Sequence, residues 1–349
     1  MDSLTQMVLG ATVGEAVLGK KAGRRALFWG AFAGTVPDLD VLVYPLWNDV
    51  ERLVLHRGFS HSLLVLALAA PLLGGAVKRI HGNLDVSWRE WSWLMFWCLI
   101  THPLLDCFTT YGTQLAWPFS SYPVSWNSIF IIDPLYTLPL LFATITGLWS
   151  PKDRDTRTRI ITMSLLLSSS YLALTQFNKH QALAVFREAI VKEPQLRGDG
   201  RWMTMPGVFN NVVWRGLYLE DDTLYESYYS FFGDKERVRF RVIQRGKAVR
   251  ARLGEHEQLE RLIRFSKGFY LLRQEPDRVV YTDVRFGGQD YYAFRYQIHP
   301  DQTDKDRQVT RLPRAKPPED YLANVWRLLK GEPYLPAEQA SNQPPIPKE

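Results

Sequence analysis

The amino-acid sequence predicts a mainly α-helical protein, in which a polytopic helical membrane domain of about five to six spans precedes a smaller α+β soluble domain. Two observations support this fold class. Up to about residue 177, long apolar runs are separated by short charged loops, whereas polar and charged residues are spread evenly through the remainder of the 349-residue chain. The overall 46% of hydrophobic and 22% of charged residues is therefore an average of two unlike halves.

Six apolar runs within residues 1–177 are candidate membrane spans. A helix needs about 20 apolar residues to cross the hydrocarbon core, so the shorter first and third runs could be tilted or re-entrant. The first run carries Glu15 and lacks the basic start and cleavage site of a signal peptide, so we expect it to be retained. The runs cover residues 4–19, 26–46, 61–77, 91–108, 131–149 and 160–177.

The distribution of basic residues predicts the orientation of these spans, because Lys and Arg in short loops stay in the cytoplasm. Eleven follow the first, third and fifth runs, whereas residues 47–60 hold only Arg52 and Arg57 and residues 109–130 hold none. Six crossings would place the C-terminal domain on the outer, extracytoplasmic side of the membrane. The eleven are Lys20, Lys21, Arg24, Arg25, Lys78, Arg79, Arg89, Lys152, Arg154, Arg157 and Arg159.

Residues 178–335 are predicted to form the extracytoplasmic α+β domain, and residues 336–349, rich in Pro, Gln and Ala, a disordered tail. His256 and His299 are isolated and expected at the surface, and the many tyrosines are more typical of strand packing than of a binding face. The predicted strands are Val212–Leu219, Arg237–Gln244, Val279–Phe286 and Tyr291–Gln297, and the predicted helices are His256–Phe265 and Pro318–Leu329.

Charge and cysteine content argue against two kinds of site. A net charge of +6 could indicate nucleic-acid binding, but topology accounts for much of it, and elsewhere basic residues alternate with acidic ones, as in residues 234–237. We therefore expect no nucleic-acid partner. Cys98 and Cys107 would stand about 13 Å apart on one helix, too far for a disulfide, and no Cys-x-x-Cys pair indicates a thiolate zinc site.

Three short segments place ionisable residues beside or inside the apolar runs, where charge is costly and usually marks function. In the first segment, Asp38 and Asp40 follow Pro37, which should break the second run and leave irregular backbone lining a cavity. Two carboxylates in one short loop repel each other unless a cation or proton lies between them. This favours a metal site over a plain turn.

The second segment runs from His56 through Arg57 and Gly58 to His61. The two histidines would lie about 140° apart on an ideal helix, but Gly58 favours a loop that can bring both imidazoles to one ion. Arg57 could hold a carboxylate, meet a substrate anion such as phosphate, or contact lipid headgroups.

The third segment contains His102 and Asp106, whose spacing of four puts both side chains on one face of a helix. Alternatively, His102 packs near Pro103 and Asp106 points to outer water. The predicted topology, however, brings all three segments to the same outer level of the membrane, which favours one divalent-metal site. Its predicted ligands are Asp38, Asp40, His56, His61, His102 and Asp106.

These segments together resemble the bacterial membrane-bound metal-dependent hydrolases, also described as LexA-binding, inner-membrane-associated hydrolases. The resemblance covers about residues 1–150 and implies a hydrolase that uses a divalent metal in the bacterial inner membrane. The resemblance does not supply a substrate. The protein partner named in the family description would have to bind from the cytoplasm, where only short loops are predicted, so we do not expect it. The motifs are Met1-Asp2-Ser3-Leu4-Thr5, Pro37-Asp38-Leu39-Asp40, His56 to Ser62, His102 to Asp106, Thr109-Thr110-Tyr111-Gly112 and Trp117-Pro118.

The chain departs from this family at one position, since many members have a histidine near the start of the first run, where this sequence has Gln6. Glu15, deeper in that run, could replace the ligand or act as a base, or it could be a buried hydrogen-bonded carboxyl. Asp133 could support the ligands from behind or cap the fifth helix.

The predicted mechanism is that His and Asp side chains hold Zn²⁺, or else Mn²⁺ or Mg²⁺, which activates a water and polarises a phosphoryl or acyl oxygen. Asp40 or Glu15 would be the general base, with Arg57 also in the catalytic set. Six ligands exceed one open zinc site, so either some only support others or two ions lie about 4 Å apart. Membrane lipids surround this site, and a lipid or lipid-linked phosphoester is the expected substrate.

A non-enzymatic function is the alternative: a transporter whose broken second helix binds an ion, or a sensor whose outer domain recognises a partner. A transporter should show paired broken helices, and the sequence has no second Pro-Asp-x-Asp pattern. A hydrolase instead requires bound metal and turnover that both fail when His56 or His102 is replaced.

Overall fold

The structure is a computed structural model of the chain. Two sequence-based expectations, the surface position of His299 and the disordered tail at residues 336–349, fall outside the part of the chain that it describes. The described residues are 1–149, 154–193, 196, 198–298, 309–314 and 316–334.

The chain forms two compact units. The first contains Met1–Gln176 together with Val208–Asn210, and the second contains Phe177–Gly207 and Asn211–Glu349. The predicted domain boundary at residue 177 falls inside a helix that continues without interruption to Ile190.

The first unit is helical, and each of the six predicted apolar runs forms all or part of a helix. Two 3₁₀ helices, Val36–Leu46 of 11 residues and Phe59–His61 of three, lie between the α-helices. The α-helices are α1 (Ser3–Ala22), α2 (Arg24–Thr35), α3 (Asp49–Leu55), α4 (Leu63–Ile80), α5 (Trp88–Asp106), α6 (Pro134–Trp149) and α7 (Arg154–Ile190).

Three helical stretches among the described residues are long and apolar enough to cross a membrane: Arg24–Leu46, Leu63–Ile80 and Asp155–Ile190. The sequence-based count of five to six spans is therefore not supported by length and hydropathy. α6 is apolar but only 16 residues long. α1 and α5 intersperse small, polar and charged residues among their apolar ones, which lowers the mean hydropathy of both helices.

Close packing of α1 against α2 depends on glycine. A Cβ atom added at Gly10 would lie 2.3 Å from the carbonyl oxygen of Gly30, and one added at Gly34 would lie 2.5 Å from the carbonyl oxygen of Gln6. Backbones at this separation leave no space for a side chain. α5 packs against both helices, with Trp91 fully buried in their shared core. These three helices therefore form one tightly packed frame.

The second unit contains two four-stranded antiparallel sheets in which strands adjacent in sequence pair with each other. The first sheet consists of β1 (Arg201–Pro206), β2 (Val213–Glu220), β3 (Thr223–Ser230) and β4 (Arg241–Gln244). The second consists of β5 (Tyr270–Gln274), β6 (Val279–Gly288), β7 (Tyr291–Ile298) and β8 (Thr310–Arg311). The helices of this unit are α8 (Lys247–Leu253), α9 (Glu257–Phe265) and α10 (Tyr321–Leu329).

A buried ion pair joins the two sheets. Arg215 on β2 donates through Nε to Glu226 Oε1 on β3 at 2.7 Å, and its Nη1 donates to the carbonyl oxygens of Val284 and Gly287 on β6, each at 2.6 Å. Burial alone would lower the pKa of Arg215, but the Glu226 carboxylate raises that pKa above its ordinary value. The guanidinium therefore stays charged and bonds to both sheets at once.

Three expectations about particular residues can be compared with the fold. Cys98 and Cys107 are buried free thiols, as predicted. The surface position predicted for His256 is wrong: its ring is buried and its Nδ1 accepts the N–H of Leu259 at 3.4 Å, capping the start of α9. The strand predicted at Arg237–Gln244 is shorter in the structure. Only the last four of these residues form β4, and Arg237 ends a 3₁₀ turn.

Candidate metal centre

A change of helix type places the first pair of carboxylates. α2 ends at Thr35, and the chain continues through Pro37 as a 3₁₀ helix. A 3₁₀ helix has about three residues per turn, so Asp38 and Asp40 point in different directions, and Asp38 alone reaches the cluster of ligand atoms. This local geometry separates two side chains that the sequence treats as equivalent.

Four ionisable side chains converge on one point: Asp38, His61, His102 and Asp106. One ligand atom from each lies within 4.8 Å of all the others, so the group could hold a divalent metal ion. The side chains of His61, His102 and Asp106 are buried, whereas the Asp38 side chain is 24% exposed.

The distances between these ligand atoms are short. His61 Nε2 and His102 Nε2 are 3.2 Å apart, and Asp38 Oδ1 lies 3.4 Å from each of them. Asp106 Oδ2 lies 3.3 Å from His61 Nε2 and 3.6 Å from His102 Nε2. Two nitrogens and two carboxylate oxygens therefore surround a common point.

The hydrogen bonds behind the rings assign the tautomer of each histidine. His102 Nδ1 is 2.7 Å from the Gly34 carbonyl oxygen, which can only accept, so this nitrogen carries the proton. Ser60 Oγ donates to Asp40 Oδ2 at 3.0 Å and can then accept from His61 Nδ1 at 2.9 Å. In the neutral imidazoles, both Nε2 atoms consequently present lone pairs to the centre of the cluster.

This arrangement fits a bound cation. With both Nε2 atoms unprotonated, the four clustered side chains contain no proton donor of their own, and Asp106 Oδ2 is buried without a hydrogen bond, with Arg57 Nε at 3.2 Å as its charged neighbour. Such groups are costly to bury unless a proton or a metal ion satisfies them. Two imidazoles and two carboxylates are a donor set that can hold a divalent metal ion.

Asp40 and His56 lie beside this cluster and are not part of it, although the sequence predicts both as ligands. Asp40 Oδ2 accepts from His56 Nδ1 at 3.0 Å, from Ser60 Oγ at 3.0 Å and from the Arg57 backbone N–H at 3.4 Å. Its carboxylate therefore organises the histidine loop. The His56 ring packs edge-on against the His61 ring at a centroid distance of 5.8 Å.

Arg57 brings a buried positive charge to the cluster. Its backbone adopts φ 62°, a left-handed conformation that is uncommon for residues other than glycine. Its Nε lies 3.2 Å from Asp106 Oδ2, its Nη1 donates to Thr109 Oγ1 at 3.0 Å, and its guanidinium carbon lies 4.9 Å from the Tyr111 ring centroid. The guanidinium thus contacts a ligand-set carboxylate directly.

Gln6 lies in the same site, at the position where the resemblance indicates a histidine in many relatives. Its Nε2 donates to Asp106 Oδ1 at 3.0 Å and to the His102 carbonyl oxygen at 3.3 Å. Its Oε1 is buried and lacks a hydrogen-bond partner. The α-amino group of Met1 also contacts Asp106 Oδ1.

Two residues that the sequence suggested for this site lie elsewhere. Glu15 contacts the Arg157 guanidinium, and it is nine residues, or about 13 Å, along α1 from Gln6. Asp133 caps α6 by accepting from the backbone N–H of Leu135 at 3.0 Å, and it also accepts from the Tyr171 hydroxyl. Glu15 is therefore not placed to act as base or ligand, and Asp133 is a capping residue.

Sequence reasoning overlooked Ser60 and the Gly34 carbonyl, which set the two histidine tautomers. Ser60 stands next to His61, and its position inside the histidine motif was the available signal. Gly34 could not be found this way, because a backbone carbonyl has no signature in sequence. It reaches His102 through the packing of α2 on α5.

Comparison with known proteins gives a family and no further detail. A family model described as YdjM inner membrane protein matches residues 1–182. The chain is 29% identical over 150 residues to "Uncharacterized protein YfhP" of Bacillus subtilis (strain 168), covering 41% of this chain and 45% of that protein. It is 32% identical over 114 residues to "Inner membrane protein YbcI" of Escherichia coli (strain K12), covering 33% and 64% respectively.

The alignments thus span less than two thirds of either relative. No solved structure matches the chain. The family model and the Escherichia coli relative are described as inner membrane proteins, and none of the three descriptions mentions hydrolysis or LexA binding. Those parts of the sequence resemblance stay predictions.

Proposed function

Since the chain belongs to the YdjM inner membrane protein family, we propose that it is a metal-dependent hydrolase of the bacterial inner membrane, acting on a lipid or lipid-linked phosphoester. The observation that carries this proposal is the convergence of two imidazole lone pairs and two carboxylates beside a buried arginine. A purely structural ion pair would need neither the two imidazole nitrogens facing each other nor the Arg57 guanidinium beside them.

Asp38, His61, His102 and Asp106 would hold the metal. Two nitrogen and two oxygen donors favour Zn²⁺, and Mn²⁺ is the next choice, whereas Mg²⁺ prefers oxygen ligands alone. A bound divalent ion supplies Lewis acidity and an activated water for ester hydrolysis. Because four side chains already surround one point, the proposal needs a single ion, and one of the four would have to give way to the activated water or be joined by it.

Arg57 would bind the anionic group of the substrate. Its guanidinium is buried against Asp106 and Tyr111, and burial strengthens its attraction for a phosphoryl group by excluding water. Arginine also matches phosphate oxygens with paired N–H donors. A phosphoester therefore suits this site better than a neutral ester.

His56 is the group that we place to move a proton. Asp40 accepts from His56 Nδ1, which leaves Nε2 as the exchanging atom, and the side chain is partly exposed. This arrangement repeats the orientation of a catalytic histidine by a carboxylate. The proposed roles of these two residues differ from those predicted from sequence. Asp40 was predicted as the base and His56 as a ligand, whereas here His56 moves the proton and Asp40 orients it.

We also infer that α1, α5 and α6 lie in the membrane and complete six crossings, which would leave the second unit outside. Apolar side chains on these helices are exposed, including Trp93 on α5 (56%) and Leu135 on α6 (62%), and contact with lipid would cover them. In spheroplasts, a membrane-impermeant maleimide should label a cysteine introduced at Lys235 and should not label one introduced at Arg79. Labelling at Lys235 alone supports this orientation, and labelling at Arg79 alone contradicts it.

Metal content is the first test of the proposed centre. The full chain would be purified in detergent and its metals measured by elemental analysis, alongside His61→Gln, His102→Gln and the matched control His81→Gln. His81 accepts from Trp29 Nε1 at 2.9 Å and lies outside the cluster. We expect about one equivalent of metal in wild type and control, and loss in the other two variants. Folded wild-type protein without metal would refute the centre.

Turnover is the second test. Bis(p-nitrophenyl) phosphate and a phospholipid with a p-nitrophenyl headgroup would be offered in mixed micelles to the metal-loaded chain. Release of nitrophenol that fails in His102→Gln supports hydrolysis. A chain that holds metal and hydrolyses neither compound would instead support an ion-binding transporter or sensor.

A further inference from the structure

An open groove of about 560 Å³ lies between α6 and α7 in the first unit. One wall consists of Leu135, Leu138 and Phe142 on α6, and the other consists of Ile160, Met163 and Leu167 on α7. Each set follows the i, i+3, i+7 spacing that keeps side chains on one helical face. The groove is therefore formed by two apolar faces with the small side chain of Ser164 between them, and Ser164 is buried.

The apolar walls are exposed to a degree that water would penalise. Leu138 is 57% exposed, Met163 is 55% exposed and Leu167 is 56% exposed. From residue 159 to residue 167, α7 rises about 12 Å, which is most of the roughly 15 Å hydrocarbon depth of one leaflet. The groove is thus long enough to hold much of one acyl chain.

A single arginine lines the groove at one end. Arg159 is exposed and directly precedes Ile160 of the wall, and no other described residue lining the groove is charged. Arg157 stands two residues earlier, which on a helix directs it to nearly the opposite face, and there it is buried against Glu15. The positive charge at the groove therefore belongs to Arg159.

We propose that this groove is a binding site for one anionic phospholipid, with an acyl chain between α6 and α7 and its phosphate at Arg159. The apolar walls and the terminal cation match the two ends of such a lipid, and basic pockets between membrane helices recognise anionic head groups. This site shares no residue with the metal centre and does not depend on the proposed hydrolysis.

The test counts lipids on the intact protein. The full chain would be exchanged into detergent micelles that contain equal amounts of phosphatidylglycerol and phosphatidylcholine, and bound lipid would be measured by native mass spectrometry. We expect one retained phosphatidylglycerol, preferred about fivefold over phosphatidylcholine. Arg159→Gln should remove this preference, and Arg79→Gln, an exposed arginine at the end of α4, should keep it. Ser164→Leu should reduce retention of both lipids by filling the groove.

The outcomes separate the possible explanations. Equal retention of the two lipids by wild type would show ordinary surrounding lipid and overturn the proposal, as would equal effects of the Arg159 and Arg79 substitutions. Unchanged retention in Ser164→Leu would place the lipid outside the groove and also overturn it. If Ser164→Leu does not fold, as judged by gel filtration and circular dichroism, Leu167→Ala removes part of one wall and should weaken retention. Inorganic phosphate should not displace the lipid.

Discussion

Replacing Ser60 with alanine should weaken metal binding while leaving the fold intact. Its hydroxyl accepts from His61 Nδ1 at 2.9 Å and donates to Asp40 Oδ2 at 3.0 Å. Without it, the His61 ring can rotate and its proton can move to Nε2, which removes the lone pair from the centre. Partners that orient metal-binding histidines typically change affinity by about 10- to 100-fold, or about 1.4 to 2.7 kcal/mol.

The assay is a competition titration of Zn²⁺ between the detergent-solubilised chain and a chromophoric chelator. Ser62→Ala is the matched control, because Ser62 Oγ caps α4 and donates to the Trp117 carbonyl without touching the cluster. Ser60→Thr restores the hydroxyl and should recover most of the affinity. Substitution with Co²⁺ adds a coordination-sensitive visible spectrum, which should change in Ser60→Ala alone. The reasoning fails if Ser60→Ala binds zinc as wild type does, or if Ser62→Ala loses as much.

Other substitutions test the roles of residues around and beyond the centre. His56→Gln should keep the metal by elemental analysis and lower turnover by about 10²- to 10⁴-fold, whereas loss of metal would return His56 to the ligand set. Glu226→Ala leaves Arg215 buried without its carboxylate and should destabilise the second unit by about 3–5 kcal/mol in chemical denaturation, and a change below 1 kcal/mol would contradict the buried pair. Gly10→Leu should separate α1 from α2 and lower the melting temperature and the metal content together, while an unchanged protein would refute their close contact.

The helical runs could be predicted because each depends on local composition, but their number in the membrane could not. α1 and α5 carry polar side chains that serve the site, such as Gln6 and His102, and these lower the hydropathy that a count of spans relies on. The second unit illustrates the same limit. The prediction of a surface His256 followed from its isolation in sequence, whereas its burial depends on capping a helix.

The residues of the candidate site could be predicted from sequence, but their individual roles could not. Ionisable residues in apolar surroundings point to a site from sequence alone, and the four converging side chains were all among those selected. Their division into metal-facing and supporting residues depends on backbone geometry. Asp38 and Asp40 are separated by a 3₁₀ turn, and Glu15 was drawn into the prediction only because its partner, Arg157, is 142 residues away.

The unequal exposure of the four clustered side chains determines where reactants would arrive. Asp38 is the one that is not fully enclosed, and its neighbours on the same 3₁₀ helix, Leu39 and Leu42, are 45% and 72% exposed. If the proposed hydrolysis is correct, an approach past these apolar side chains would favour a lipid over a hydrophilic ester. Under the proposed reaction, water would have to reach the same point. The Asp38 side chain, the one of the four that is partly exposed, is where that water would enter.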